Sequence, residues 1–237
     1  QAAPPARAQP QAAALRRLSG SSQAMQQVRA LIEKVARSMA PAIVHGESGT
    51  GKELVARAIH DVSARAGQPF IAVNCGAIPE HLLEAEFFGY RKGAFTGANE
   101  DREGFVQAAQ GGTLFLDEIG DTSAQVQPQL LRALQQREIQ AVGGVIRRVD
   151  VRVISATDAV LEGESCDFKV ALRHRLGACE IVLPPLREHP EDIGELLLYF
   201  LQESAAGIGR IALLPHAQSP ATNIAAWAVL FFNFLCY

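Results

Sequence analysis

With 237 residues, 48% of them hydrophobic and 20% charged, the chain reads as a soluble globular protein that can bury one sizeable core, with room for a small second domain. Its net charge of −3 supplies no global basic field, so binding of nucleic acid by bulk electrostatics is not expected, local patches aside. The four cysteines (Cys75, Cys166, Cys179, Cys236) form no C-x-x-C pair and the six histidines no H-E-x-x-H pattern, which argues against a zinc site or a disulfide framework and for reduced thiols in the cytoplasm.

Residues 1–17 are mostly Ala, Pro, Gln and Arg, a composition that cannot offset its ordering entropy by burial, and they are expected to be a disordered linker. The chain does not begin with Met and shows no secretory signal, so it is expected to be a piece of something longer. From Leu18 the composition changes. Met25, Val28, Leu31, Ile32 and Val35 recur at helical spacing, with Ser21 or Ser22 as the cap.

Ala42, Ile43 and Val44 then form a short apolar run, followed by Gly46-Glu47-Ser48-Gly49-Thr50-Gly51-Lys52-Glu53 and by Leu54, Val55, Ala58, Ile59 and Val62 at helical spacing. Strand, glycine loop and helix is the context a phosphate cradle requires. The glycines allow backbone angles that turn several N–H groups to one concave surface, and Lys52 adds positive charge at the same spot.

Phe70 to Val73 reads as a buried strand ending in Asn74-Cys75-Gly76, and Pro79 opens a helix to about Phe88. Gly93-Ala94-Phe95-Thr96-Gly97-Ala98 is a glycine-punctuated loop around one aromatic, whose bland alternative is a hairpin tip. Gly111 to Glu118 is an apolar strand that delivers two carboxylates at its carboxyl end, where open α/β sheets place their ligands. There Asp117 would hold Mg²⁺ on the phosphates, directly or through water, and Glu118 would orient or deprotonate the attacking water. Val126, Leu130, Leu131 and Leu134 mark another helix. Val149, Val151, Val153 and Ile154 mark a strand closing on Thr157-Asp158, and a last strand lies near Ile181 to Leu183. A final helix enters through Pro190 and runs past Leu201. Alternating strands and helices imply an α/β fold with a mostly parallel sheet flanked by helices.

On the strings Gly46 to Glu53, Val73-Asn74-Cys75, Gly93 to Ala98, Gly111 to Glu118 and Leu183-Pro184-Pro185-Leu186-Arg187-Glu188, the chain resembles the sigma-54-interacting AAA+ ATPase domain of bacterial enhancer-binding transcriptional activators, the response-regulator type of two-component systems. The resemblance runs from about Leu18 to Leu201. It implies a P-loop AAA+ core over 18–190 that binds ATP and Mg²⁺ and forms a ring, usually a hexamer, in the cytoplasm. ATP turnover in such a ring pushes on the sigma-54 factor of RNA polymerase and permits promoter opening. Phe95 and Thr96, flanked by Gly93, Ala94, Gly97 and Ala98, would tip a mobile loop that contacts the sigma factor. A lone exposed aromatic between glycines is costly to keep unless a partner buries it. Asn74 would couple Glu118 to the nucleotide, or on the bland alternative simply satisfy backbone groups at a strand end. Glu53, odd against the Ser/Thr usual after the lysine, matches this family's loop.

Three departures bear on activity. Where the family has approximately Phe-Arg-x-Asp-Leu-x-x-Arg-Leu, this chain has Phe168 to Leu176, so that Arg175 matches the second arginine and Lys169 replaces the first. An arginine finger's planar bidentate contact can be worth about a thousandfold in rate, and lysine does not reproduce it. Thr157-Asp158 stands in place of the sensor Thr-Asn, putting a carboxylate near a phosphate site. The family's helical lid, with its Pro-Gly-Asn-x-Arg-Glu-Leu string, is expected to be truncated or aberrant over 191–237, and no helix-turn-helix DNA-binding domain is read within this chain. The run Ile224 to Tyr237 is too short for a membrane span and is read as an out-of-frame or truncated end, with periodicity lost from about Ala205. These departures leave a second function open: a hydrolysis-deficient, nucleotide-binding interaction module. A P-loop kinase has no use for the loop at 93–98.

Overall fold

The computed structural model describes residues 14–15, 17–159, 161 and 168–208, the side chains of 203–208 excepted. The expected linker, apart from residues 14, 15 and 17, lies outside them, as do the apolar run 224–237 and the part of the expected lid beyond 208. In order the elements are α1 (Gln23–Ser38), β1 (Ala42–His45), α2 (Lys52–Val62), β2 (Phe70–Asn74), α3 (Glu80–Phe88), α4 (Phe105–Ala108) and β3 (Thr113–Asp117). They continue with α5 (Gln127–Gln136), β4 (Glu138–Gln140), β5 (Ile146–Arg148), β6 (Arg152–Thr157), α6 (Val170–Leu176), β7 (Cys179–Val182) and α7 (Ile193–Ile208). Residues 1–196 form one unit and 197–237 another.

The five long strands pair in the order β2-β3-β6-β1-β7, every pair parallel. Side chains alternate across such a sheet, and the core divides accordingly. Ala42, Val44, Phe115, Ile154, Ala156 and Ile181 face α1 and α2, where they meet Val28, Ile32, Val55 and Ile59. Ile43, Val73, Leu114, Leu116 and Val153 face the other way, onto Leu83, Phe87, Leu130, Leu172 and Leu176 of α3, α5 and α6. Strands covered on both faces read as the unbroken apolar runs seen in the sequence.

Ser22, not Ser21, caps α1: its Oγ accepts from the Met25 amide at 3.2 Å. The segment leading into α1 is tied to the far end of the same unit. The buried Asp192 carboxylate accepts from the Ser21 and Ser22 amides at 2.8 and 2.9 Å and pairs with His189 Nδ1 at 2.9 Å. Burial alone would raise this carboxyl's pKa, but the hydrogen bonds from Ser22, His189 and Ser21 outweigh it and hold the group below the usual range.

Three boundaries differ from expectation. The sixth strand begins at Arg152, because Val149 instead donates its amide to Arg137 (2.8 Å) at the root of an antiparallel hairpin, β4–β5. That hairpin is invisible in the hydropathy pattern, since β5 is three residues long and wholly exposed. The last strand starts earlier, at Cys179, and α7 continues to Ile208 past the point where apolar periodicity fades.

Candidate functional site

The glycine loop hangs between the carboxyl ends of β1, β6 and β7. The Gly46 amide donates to the Thr157 carbonyl at 3.2 Å, and the Leu183 amide donates to His45 at 2.8 Å. Gly49 (φ 81°) and Gly51 (φ 89°) take left-handed angles that other residues adopt only at a cost, and Gly51 is the N-cap of α2. A Cβ on Gly46 would come within 2.7 Å of Thr50 Oγ1 and 3.1 Å of the Leu183 Cβ, so the loop closes too tightly for a side chain there. Thr50 donates its hydroxyl to the Glu47 carbonyl at 2.8 Å. Lys52 Nζ donates to the carbonyls of Gly46 (2.8 Å) and Glu47 (3.2 Å), which keeps the ammonium against the loop. Ser48 is exposed. Glu53 points away: its carboxylate takes Arg57 at 2.8 Å, four residues on, and Arg57 lies over the Phe70 ring.

Beside the loop opens a cleft of about 430 Å³, whose lining includes Gly46, Glu47, Thr157, Asp158, Arg173, Leu183, Pro185 and Arg187. Asp117 and Glu118 do not line it. Thr157 Oγ1 accepts from the Ala159 amide at 3.0 Å, shaping the turn that carries Asp158. Arg187 bridges the cleft mouth to the loop, gripping the Glu47 carboxylate with both ends of its guanidinium at 2.7 and 2.6 Å. That hydrogen bond holds the Glu47 carboxyl below its ordinary pKa. The string Leu183 to Glu188 was legible in the sequence, but the pairing of Arg187 with Glu47 was not, because 140 residues separate them.

The acid pair sits where β3 ends. Asp117 Oδ1 accepts the Glu118 amide at 3.0 Å. Glu118 has φ 52°, a left-handed conformation that a non-glycine residue holds only when its surroundings impose it, and one that clusters at functional sites. Asn74 is the register partner of Asp117 on β2, and its Oδ1 accepts from the Ala77 amide at 3.0 Å. Its hydrogen bond therefore follows the bland alternative of strand-end capping, although its side chain shares a space with Glu118. A Cβ placed on Gly76 would lie 2.7 Å from Glu118 Oε2, 3.0 Å from Asp121 Oδ2 and 3.5 Å from Asn74 Oδ1. Asp121 is thus a third carboxylate at the site that the sequence reading passed over, one 3₁₀ turn beyond Glu118. Cys75 lies buried beneath, its thiol pushed up to about 12 by desolvation, so it offers no thiolate.

Among the described residues no three His, Cys, Asp or Glu side chains form a metal cage. A magnesium ion needs only one or two carboxylates and completes its octahedron with water and phosphate oxygens, so a single carboxylate such as that of Asp117 would fit it. Cys75 and Cys179 are both free thiols. Arg175 is exposed and donates to the Leu134 carbonyl at 3.1 Å, while exposed Lys169 is the N-cap of the same helix, α6.

The loop at 93–98 springs from a rigid root. Tyr90 and Arg102 exchange two backbone hydrogen bonds of 2.9 Å, Arg91 donates to Val142 at 3.0 Å, and Arg91 and Lys92 both bind the Asp101 carboxylate. Within the loop Gly93 (φ 83°) and Gly97 (φ 102°) make the bends, and the Gly93 amide donates to Ala98 at 2.9 Å. Ala94 rests against Gly143 of the β4–β5 turn, Ala98 is buried and Thr96 exposed. Phe95 is 43% exposed, but it is not the lone aromatic that was expected: its ring packs edge-on against Tyr90 with centroids 5.0 Å apart.

Residues 18–182 match the family described as the sigma-54 interaction domain. The chain belongs to this family. Among its relatives, the response regulator protein PilR of Pseudomonas aeruginosa is 50% identical over 196 residues, covering 81% of this chain and 44% of that protein. The DNA-binding transcriptional regulator NtrC of Escherichia coli K12 is 49% identical over 205 residues, covering 85% and 44%. The chain thus spans less than half the length of these relatives. Among solved structures, NtrX from Brucella abortus in complex with ADP superposes with a TM-score of 0.77 at 38% identity over 88% of this chain and 46% of that one. NtrX in complex with ATP gives the same score over 86% and 44%. The fold is therefore a P-loop AAA+ core of the ATPase family. Among the described residues no helix is long and apolar enough to cross a membrane.

Proposed function

We propose that this chain is the ATP-hydrolysing core of a transcriptional activator that remodels sigma-54 RNA polymerase in the cytoplasm. One observation carries the reading: the glycine loop heading α2, the Asp117-Glu118 pair ending β3 and Thr157-Asp158 ending β6 all stand at the carboxyl edge of one parallel sheet. That edge is where such sheets bind ligands.

In this reading the backbone amides of 46–53 and the Lys52 ammonium hold the ATP phosphates, Lys52 exchanging its present carbonyl partners for phosphate oxygens. Asp117 holds Mg²⁺, which when bound offsets negative charge on the phosphates. Glu118 orients the attacking water and accepts its proton, with Asn74 relaying the state of the site. Thr157 and Asp158 sense the γ-phosphate. Arg175 reaches the site of the neighbouring protomer in a ring, a hexamer by family resemblance, and Lys169 stands in place of the family's first arginine. Gly93 to Ala98 present Phe95 and Thr96 to the sigma factor. Residues 18–190 form the AAA+ domain, preceded by a linker over 1–17.

Steady-state ATP hydrolysis and binding to purified sigma-54 with a slowly hydrolysed ATP analogue test the proposal. Hydrolysis lost in Glu118→Gln, with ATP binding kept, and sigma-54 binding lost in Phe95→Ala are the expected results. If ATP binds but no turnover is seen, and Arg175→Ala changes nothing, the hydrolysis-deficient interaction module is the correct function. The observation favouring that second reading is Arg175 spending its guanidinium on Leu134 of its own chain. Absence of both ATP binding and sigma-54 binding rules out both.

A further inference from the structure

Gln127 opens α5 and is 1% exposed, an unusual setting for a neutral amide. Its Nε2 donates to the Thr122 carbonyl at 3.0 Å, and its Oε1 accepts from the Lys169 amide at 2.7 Å. The first bond grips the end of the turn that Glu118 begins. In that turn Asp121 donates its amide to Glu118 at 3.0 Å, and Thr122 donates to Ile119 at 3.2 Å. The second bond fixes the start of α6, the helix that carries Arg173 and Arg175. There the Lys169 carbonyl accepts from the Leu172 and Arg173 amides at 2.9 and 3.0 Å. With Arg175 returning to the Leu134 carbonyl, α5 holds α6 at both ends.

A buried amide that bonds two backbone segments 47 residues apart in sequence, at Thr122 and Lys169, is a rigid link, because a buried hydrogen bond that is broken must be replaced away from water. We infer that Gln127 is a positioning residue that locks the Glu118 turn to the arginine-bearing helix, so that the water-orienting carboxylate of one site and the arginine offered to the next site shift together. The inference rests on the roles proposed above for Glu118 and Arg175, but its physical core, the coupling of the two segments, does not need turnover to be tested.

Hydrogen exchange of backbone amides in the whole chain tests that core. Lys169→Pro deletes the 2.7 Å bond from the far side, at a residue whose φ of −65° proline accepts. Exchange at Asp121 and Thr122 should then rise about tenfold, as expected for one buried hydrogen bond, while Lys169→Ala, which keeps the amide, leaves it unchanged. Gln127→Leu should raise exchange in both segments, and Gln127→Glu, which keeps the acceptor but loses the donor, only at 121–122. In the turnover assay Gln127→Leu should lower kcat about tenfold with KM unchanged, the signature of misplacement rather than lost binding. The inference is overturned if Lys169→Pro leaves Asp121 and Thr122 exchange within twofold of wild type, or if Gln127→Leu raises KM at constant kcat. A wild-type chain without turnover would remove the proposed hydrolysis while the exchange result still decides the coupling.

Discussion

Arg152 is a buried cation facing helix carbonyls instead of a carboxylate, and replacing it tests how the sheet anchors α1. It is 3% exposed and donates to Val35 O at 2.7 Å and Ala36 O at 3.4 Å, in the last turn of α1. Burial lowers its pKa to about 10. At about 1.4 kcal/mol per tenfold change in proton affinity, that fall is a cost of roughly 3 kcal/mol. Against it stand two charge-assisted hydrogen bonds at roughly 1.5–3 kcal/mol each, the longer one at the low end, and about 1 kcal/mol from a cation at a helix C-terminus. Its Nε is buried without a partner and takes back about 1 kcal/mol, so the balance favours arginine by about 1 kcal/mol. Arg152→Met, which keeps the volume and removes the charge, should therefore destabilise the chain by that amount. Arg152→Ala adds a cavity and should cost about 3–5 kcal/mol. Urea unfolding followed by far-UV circular dichroism measures both, and the Met variant's Tm should fall by roughly 2–4 °C. A Met variant as stable as wild type would refute the reasoning, since burial would then outweigh the carbonyl contacts.

Three further predictions follow from local geometry. His60 is buried against Thr113 Oγ1 (2.9 Å) and the Phe70 ring, and desolvation lowers its pKa. Its contribution to stability is complete above the unfolded value near 6.5 and is lost as pH falls below it, because the unfolded chain then takes up a proton that the folded one resists. Unfolding curves at pH 7.5 and 5.5 should show this slope, and His60→Gln should flatten it. A Cβ on Gly104 would lie 2.4 Å from both Gly89 N and Phe87 O, backbone atoms that cannot swing aside. Gly104→Ala should cost about 1–3 kcal/mol in urea unfolding and shift the root of the loop bearing Phe95, seen as weaker sigma-54 binding. Asp192→Ala leaves the Ser21 and Ser22 amides without their acceptor and should lower stability by about 2–3 kcal/mol; hydrogen exchange confined to the start of α1 should rise with it.

Much of the candidate site was legible because its chemistry is local. The loop 46–53 needs glycines where φ is positive, and Gly49 and Gly51 take those angles within a few residues of each other. Asp117 and Glu118 likewise announce themselves as polar residues closing a buried apolar strand. The alternation of Ala42, Ile43 and Val44 between two cores follows from the period of a strand, so the layered parallel sheet was implied by pattern alone. The hairpin β4–β5 was not, because β5 buries nothing and leaves no hydrophobic period to read. Nor could the sequence show that Glu53 turns to Arg57, that Tyr90 supports Phe95, or that Asp121 joins Glu118 beside Gly76. The pairings of Glu47 with Arg187, Asp192 with Ser21 and Ser22, and Gln127 with both Thr122 and Lys169 were equally hidden. Residue types and their near spacing determined that this chain builds a nucleotide-type edge on a parallel sheet. Which polar groups meet across that edge was decided only when the sheet order β2-β3-β6-β1-β7 set remote segments side by side. A hydrogen bond needs its partners within about 3 Å, and only packing supplies that distance between residues far apart in the chain.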